Sequence, residues 1–470
     1  MNTRIIKKLR NIVGARRIVT DPSELLVYES DGLPIEKRLP GAVVFPESTA
    51  EIVEIVKLLS GAGIPFVPRG AGTGLSGGCL PPEGGVVISI TRMNRILEVN
   101  PADRYAVVEP GVLNQEISDR VRQYGLHYAP DPASGMSCTI GGNIAENSGG
   151  PHTLKYGVTV NHVLGMEMVL PDGEIVTIGS TTLDTPGYDL PGVIIGSEGT
   201  FVIVTKAVVK LIQLPESYAT FYAEYGEVDD ATRSISGILH AGIIPAALEM
   251  IDGEFIKALK DVFQLDFNSD AKAVLIIELD GPSAGMDILK KRVVDICGQY
   301  NVQKIEAAAT AEQRTQLWKA RKLAFGAIGR LSPCYLTQDG VVPRTKLPEI
   351  LNIIHSVAAK YNVRIANAFH AGDGNLHPLL MYDERIPGEL EKAKKASNEI
   401  IRSCVDLGGT ISGEHGIGIE KRDFMTLIFN KYDLAAMSAV KEVFNPRGLL
   451  NPGKVFPHHD SRIQEDALVS

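Results

Sequence analysis

The sequence predicts an α+β chain of more than one domain, and three observations carry that reading. Its 470 residues exceed what one hydrophobic core organises, so two or three domains are expected. From residue 84 to 215, short apolar runs punctuated by Gly and Pro read as strands. From 216 to 420, strands alternate with amphipathic helical runs, the pattern of a layered α+β domain. Composition is that of a globular protein, at 44% hydrophobic and 22% charged residues. A net charge of −9 argues against a nucleic-acid partner, because neutralising phosphates needs a basic face.

Residues 1 to 35 read as short helices and turns. The opening "MNTRIIKKLRNIVGARR" is basic, with no apolar stretch long enough for a signal peptide, and no run of ~18 apolar residues occurs to span a membrane. "GAVVFPESTAEIVEIVKLLSGAGIPFVPRG" predicts strand, helix, strand. The helix opens at Ser48 or Thr49 as N-cap, carries Glu51 and Glu54 in its first turns and ends at Gly61. "GVVISI", "YAVVEPGV", "GMEMVLPDGEIVTIG" and "TFVIVTKAVVKLI" follow as strands, with Pro171-Asp172-Gly173 turning a hairpin. Boundaries are expected at 1–215, 216–420 and 421–470, the last piece helical before a polar tail. The five cysteines stand far apart, which excludes a conventional iron–sulfur or Cys-rich zinc site and suits reduced thiols in a cytoplasmic protein.

Gly72-x-Gly74-x-x-Gly77 spells the dinucleotide fingerprint, and a strand feeds it. The paired prolines of "GGCLPPEGG" then forbid the helix that a nicotinamide-type site requires. What remains, "PRGAGTGLSGG" (68–78), is a run of unobstructed backbone N–H groups suited to a pyrophosphate; the alternative is a loop built only for tight turning. In "PDPASGMSCTIGGNIAENSGG" (130–150), Ser137, Thr139, Asn143 and Asn147 offer neutral hydrogen-bond groups suited to a cofactor's ribityl chain or ring edge, or else to ordinary turns.

"FHAGDGNLHPLL" (369–380) holds two histidines about a tight turn. A hairpin closed by residues 372–375 sets His370 opposite His377, with Cβ atoms about 5 Å apart on one sheet face. Such a pair can bind a divalent ion. "GTISGEHGIG" adds Glu414 as a third ligand and His415 as a base. The alternative makes the histidines turn-flanking polar residues and Glu414 an exposed acid.

These segments, in order with "TLKYGVTVNHVLGMEMVLPDGEI", "GYDL", "GSEGTF" and "LLNPGKVF", resemble the FAD-linked oxidase family of vanillyl-alcohol-oxidase-like (PCMH-type) fold, in its branch of glycolate oxidases and D-lactate dehydrogenases, from about residue 40 to 456. The resemblance implies a two-part FAD-binding domain, to which 421–470 returns, and an inserted α+β cap holding substrate and metal. FAD is expected to be noncovalent, since the pyrophosphate loop has no histidine. That loop would bind through Pro68, Arg69, Gly70, Ala71, Gly72, Thr73, Gly74, Ser76 and Gly77. The second cofactor loop would contribute Pro130, Ser137, Thr139, Gly142, Asn143, Asn147 and Gly150. A third region would add Glu198, Gly199 and Ile203, and the last stretch Asn451.

Carried over residue by residue, the resemblance makes His370, His377 and Glu414 ligands of a divalent metal (Zn, Mn or Fe) and His415 the catalytic base. Arg321 in "LWKARKLAF" becomes the group that binds the substrate carboxylate; by spacing alone it reads as a surface arginine beside Lys319 and Lys322. The implied reaction oxidises a small 2-hydroxy acid, glycolate or D-lactate, with a hydride passing from C2 to flavin N5. The related D-2-hydroxyglutarate dehydrogenases carry a lysine where this chain has Thr337 and an asparagine where it has Leu379, so the substrate is expected to have one carboxylate. That related activity is the alternative within the family; a metal-dependent hydrolase and a non-catalytic flavoprotein subunit are alternatives of other classes. Electrons are expected to leave to an iron–sulfur subunit, a second flavin subunit or an electron-transferring flavoprotein. The location expected is cytoplasmic or peripheral to the inner face of a membrane, and a homodimer is compatible with the sequence. His152 and His162 read as packing residues.

Overall fold

The computed structural model describes residues 1–182, 186–263, 268, 270–322 and 324–457; His458, His459 and the polar tail lie outside them. The chain divides into two units. The first comprises Met1–Gly149, Val158–Leu214 and Glu414–Ser470, and the second Gly150–Gly157 with Pro215–Gly413.

In the first unit the expected strand–helix–strand forms as Ala42–Val44, Thr49–Gly61 and Phe66–Arg69. Ser48 caps the helix, its side chain accepting from the Glu51 N–H at 3.3 Å, and Glu51 binds Arg17 through both oxygens at 2.6 and 2.7 Å. Ile52, Ile55, Val56 and Leu59 bury one helix face against Phe66, Val86, Ile88 and Leu450. Each such side chain contributes about 1.5–3 kcal/mol. Val86–Ser89 lies parallel between the two strands, and Ile18–Val19 pairs antiparallel at the edge. A second sheet of five antiparallel strands contains the expected hairpin, Val163–Val169 with Ile175–Gly179, closed by the Gly173 N–H donating to the Leu170 carbonyl. The C-terminal stretch docks beside the strand that feeds the glycine loop: Leu450 bridges Phe66, and the Asn451 N–H donates to the Phe66 carbonyl at 2.8 Å.

The second unit is a large antiparallel sheet with helices packed on it. Its strands run in the order Val302–Ala307, Ser217–Tyr225, Ala273–Gly281, Ala247–Asp252, Arg364–His370, Asn375–Leu376, Gly340–Val341. Pro378–Tyr382 also pairs with Arg364–His370, and Cys334–Thr337 pairs with Pro378–Tyr382. Phe255, Ile256 and Leu259 from one helix pack with Ala327, Ile328, Ala366, Ala368 and Leu379.

The histidine hairpin corrects the expected register. His370 pairs with Asn375, not His377, because the turn is 371–374 and Gly374, at φ +77°, closes it with its N–H on the His370 carbonyl. The shift is two residues. Side chains alternate faces with a period of two, so parity survives and both histidines still share a face as diagonal neighbours.

Among the described residues, no helix is long and apolar enough to cross a membrane.

Candidate active site

In the second unit, strand register sets Thr220 opposite Glu278, Glu278 opposite Ala247, and Glu249, two residues on, opposite His370. Thr220, Glu278, Glu249 and His370 therefore share a single sheet face, Thr220 and Glu278 in one row and Glu249 and His370 in the next row on that face. Helix Ala311–Lys322 supplies the partners. Arg314, Trp318 and Arg321 recur at intervals of four and three, which places them on one side of the helix. Trp318 packs with Ala247 and Ile276 on that sheet face.

Glu278 gathers four donors. Arg314 binds both its oxygens at 2.7 Å, Trp318 Nε1 and Thr220 Oγ1 each donate at 2.6 Å, and His152 Nε2 lies at 3.2 Å. Burial opposes its charge, but the His152 and Arg314 contacts hold the carboxyl well below its ordinary range. Glu249, with 0% of its surface exposed, has one neighbour per oxygen: His370 Nδ1 2.6 Å from Oε1, and Arg321 Nη2 2.6 Å from Oε2. Burial again opposes ionisation, and the charges of His370 and Arg321 outweigh it, so this carboxyl too lies below the usual range.

Arg321 is only 3% exposed, contrary to the surface position that spacing alone predicts, and its buried Nε has no hydrogen-bond partner among the described residues. The rings of His370 and His377 stand 5.1 Å apart, edge to face. His377 Nδ1 lies 3.3 Å from the Gln338 carbonyl, as His370 Nδ1 lies against Glu249. Each ring thus engages the protein through Nδ1, and Nε2 is the atom through which it could hold a divalent metal. Asp339, buried 4.0 Å from His377, accepts from Ser412 Oγ at 2.6 Å and the Gly413 N–H at 3.0 Å.

The first unit holds the other expected residues. Glu414 and His415 open its last stretch, His415 Nε2 4.0 Å from Glu414 Oε1. The turn after them is tight: Gly416 and Gly418 have φ +86° and +50°, and a Cβ at Gly418 would collide with the Ser76 carbonyl. The Ile417 and Gly418 N–H groups donate to the two oxygens of Glu198 at 2.7 and 2.6 Å. Glu198 is itself left-handed at φ +52° and buried beside Glu146. Burial first, then the charge of Glu198, pushes Glu146 well up; burial raises Glu198 too, against the Ile417 and Gly418 N–H groups that donate to it.

No helix begins at the glycine loop; bends and turns follow Gly70, as the prolines predict. Gly70 packs so closely on Thr139 Oγ1 that a Cβ would collide, and Ser76 Oγ is buried without a hydrogen-bond partner among the described residues. Arg69 turns inward, donating to the Ser30 carbonyl at 2.9 Å. Thr139 caps helix Ile140–Glu146, whose second residue pair includes Gly142 as the capped N–H, and Asn147 ends it at φ +52°. Asn143 is buried against Asn114, and Asn147 accepts from the Val160 N–H, so both amides serve the protein's own backbone and core. Ser137 is exposed, the Pro130 carbonyl accepts from Asn114, and Gly150 falls in the second unit. Asn451 Nδ2 donates to the carbonyls of Gly78 at 2.9 Å and Glu198 at 2.7 Å, tying two glycine-rich loops together. Gly199, at φ +64°, packs on Pro68, and Ile203 begins the next strand.

Two family models match the chain: "FAD binding domain" over residues 40–179, and "FAD linked oxidases, C-terminal domain" over residues 214–455. The chain belongs to the FAD-linked oxidases. This FAD-linked oxidase is 42% identical over 455 residues to the glycolate oxidase subunit GlcD of Escherichia coli (strain K12), covering 97% of this chain and 91% of that one. It is 33% identical to a D-lactate dehydrogenase of Anaerostipes hadrus over 466 residues, 96% of this chain and 97% of that one. The solved structure of p-cresol methylhydroxylase with substrate bound shares the fold, at TM-score 0.78 and 17% identity over 96% of both chains. The protein is an FAD-dependent oxidoreductase with a PCMH-type α+β fold. The close-packed Gly70 and the Ser76 hydroxyl, buried without a hydrogen-bond partner among the described residues, fit a loop that could take the cofactor's diphosphate.

Proposed function

We propose that this oxidase removes two electrons from a small 2-hydroxy acid with a single carboxylate, glycolate or D-lactate, giving the 2-oxo acid. The observation that carries the reading is Arg321: a buried guanidinium, held beside His370 by a shared carboxylate, with Nε lacking a hydrogen-bond partner among the described residues. A buried orphan donor on a permanent cation calls for an anionic acceptor, and a substrate carboxylate supplies one in planar geometry.

His370 and His377 would hold a divalent metal through Nε2. Glu414 would be the third ligand; it follows Gly413, whose N–H donates to Asp339 beside His377. Such an ion would lower the pKa of the substrate hydroxyl, and FAD supplies the hydride acceptor. His415 would take the hydroxyl proton, and the Glu198 clamp on residues 417 and 418 would steady the turn that carries it. The face bearing His377 turns apolar at Leu379, which pairs with Thr337 and is buried with Leu317 and Ile328. A second carboxylate would meet no cation there, which favours a monocarboxylate. The relatives named for glycolate and D-lactate support the same choice. With only scattered cysteines, the chain would pass electrons to a separate carrier protein.

The test is anaerobic mixing of the FAD-loaded protein with glycolate, D-lactate, L-lactate and D-2-hydroxyglutarate. Flavin absorbance should bleach with glycolate or D-lactate and should not after treatment with a chelator. Bleaching by D-2-hydroxyglutarate alone would overturn the monocarboxylate assignment, and bleaching unaffected by chelator would overturn the metal. His415→Ala should keep FAD and lose about 100- to 10,000-fold in turnover.

A further inference from the structure

Glu249 occupies a position that no step of the proposed reaction uses. It lies on the middle of the sheet face, fully buried, with His370 Nδ1 on one oxygen and Arg321 Nη2 on the other, each at 2.6 Å. The strand pairing sets it directly opposite His370, so its reach to that ring is fixed by backbone register rather than by a flexible side chain. Its reach to Arg321 is fixed from the other side, because Trp318, one helical turn earlier, is anchored on Glu278 two sheet positions away.

We propose that Glu249 is a positioning residue that couples the metal-binding histidine to the substrate-binding arginine. The inference rests on the reading of His370 and Arg321 given above. A carboxylate on Nδ1 holds the imidazole in the tautomer that ligates through Nε2 and raises its basicity. The same carboxylate shares its charge with the Arg321 guanidinium. When a substrate carboxylate draws on that guanidinium, Glu249 leans more of its charge on His370, and His370 becomes the stronger ligand. Metal and substrate then favour one another through a group that touches neither, and by linkage the effect is reciprocal.

The experiment uses the FAD-loaded protein, stripped with a chelator and titrated with Zn(II) against a chromophoric competitor in the absence of substrate. The parent, Glu249→Gln, Glu249→Asp and His370→Ala are compared. Glu249→Gln should bind zinc about 10- to 100-fold more weakly while keeping its flavin spectrum, and Glu249→Asp should recover part of the loss. With zinc saturating, the Gln variant should raise KM for the substrate more than it lowers kcat, because Arg321 has lost its anchor. Zinc affinity equal to the parent's in Glu249→Gln would overturn the inference. So would loss of bound FAD and of cooperative unfolding in both Glu249 variants, which would assign the residue to the fold alone. A parent that binds zinc no better than His370→Ala would instead overturn the metal reading itself.

Discussion

Replacing Glu278 with glutamine tests whether the helix carrying Arg321 is held by that one carboxylate. The substitution keeps the shape but sets an amide NH2 group against donors: Arg314 twice at 2.7 Å, and Trp318 and Thr220 at 2.6 Å. Removing one partner of a buried ion pair costs about 3–5 kcal/mol. Arg314 is 33% exposed and recovers water, so the low end applies, about 3 kcal/mol. For a unit of roughly two hundred residues, each kcal/mol moves Tm by about 2–4 °C, so the transition should fall by roughly 6–12 °C in a calorimeter at pH 7. The folded carboxyl is held far below its ordinary value, so its stabilisation is complete above about pH 4.5 and fades as pH falls. The gap between parent and variant should therefore narrow below pH 4. Arg321 sits three residues beyond Trp318 on the same helix side, so KM for the 2-hydroxy acid should rise as well. A transition within 1 °C of the parent's, or a gap that widens in acid, would refute the reasoning, where about 1 °C corresponds to less than 0.5 kcal/mol.

Three further outcomes are expected. Arg321→Lys keeps a charge but loses the planar two-point grip, about 1.5–3 kcal/mol, and steady-state kinetics should show kcat/KM down roughly 10- to 100-fold with FAD content unchanged. Gly70→Ala would drive a Cβ into Thr139 Oγ1, and the ratio of flavin to protein absorbance after dialysis should drop below the parent's. Burial pushes the Asp252 carboxyl up to about 6, against hydrogen bonds from Phe255 and Asn367. Its ionisation therefore costs stability as pH rises from about 4 through 6, and urea titrations of parent and Asp252→Asn should shift by about 3 kcal/mol in the variant's favour between pH 4 and pH 8.

What could be read in advance was whatever has a local cause. Ser48 and Gly61 bound a helix because a cap and a breaker act on neighbours in sequence, and the prolines after Gly77 forbid a helix for the same reason. The histidine pair survived a two-residue error in register because face depends only on parity. Arg321 was misplaced by spacing because its burial depends on two acids brought from strands more than forty residues away in sequence. Asn143 and Asn147 of the second glycine-rich loop have protein partners, Asn114 and the Val160 N–H, that no local pattern indicates.

The two acids did leave a trace. Glu249 stands in "AALEMID" and Glu278 in "AVLIIELD", each a lone charge inside an apolar strand. A carboxylate in such a run has either to be lifted in pKa or to be paired, since burying it alone is prohibitive. Both are paired, Glu249 with His370 and Arg321 and Glu278 with Arg314, and those contacts hold both carboxyls below their ordinary range. The donors that pair them have to arrive from another element at matched intervals, and Arg314, Trp318 and Arg321 at spacings of four and three are such a set, two cations and one neutral N–H. Two acids on one sheet face and two arginines on one helix side therefore specify each other. That mutual requirement carries Arg321 to His370, and with it a buried guanidinium to a pair of imidazoles.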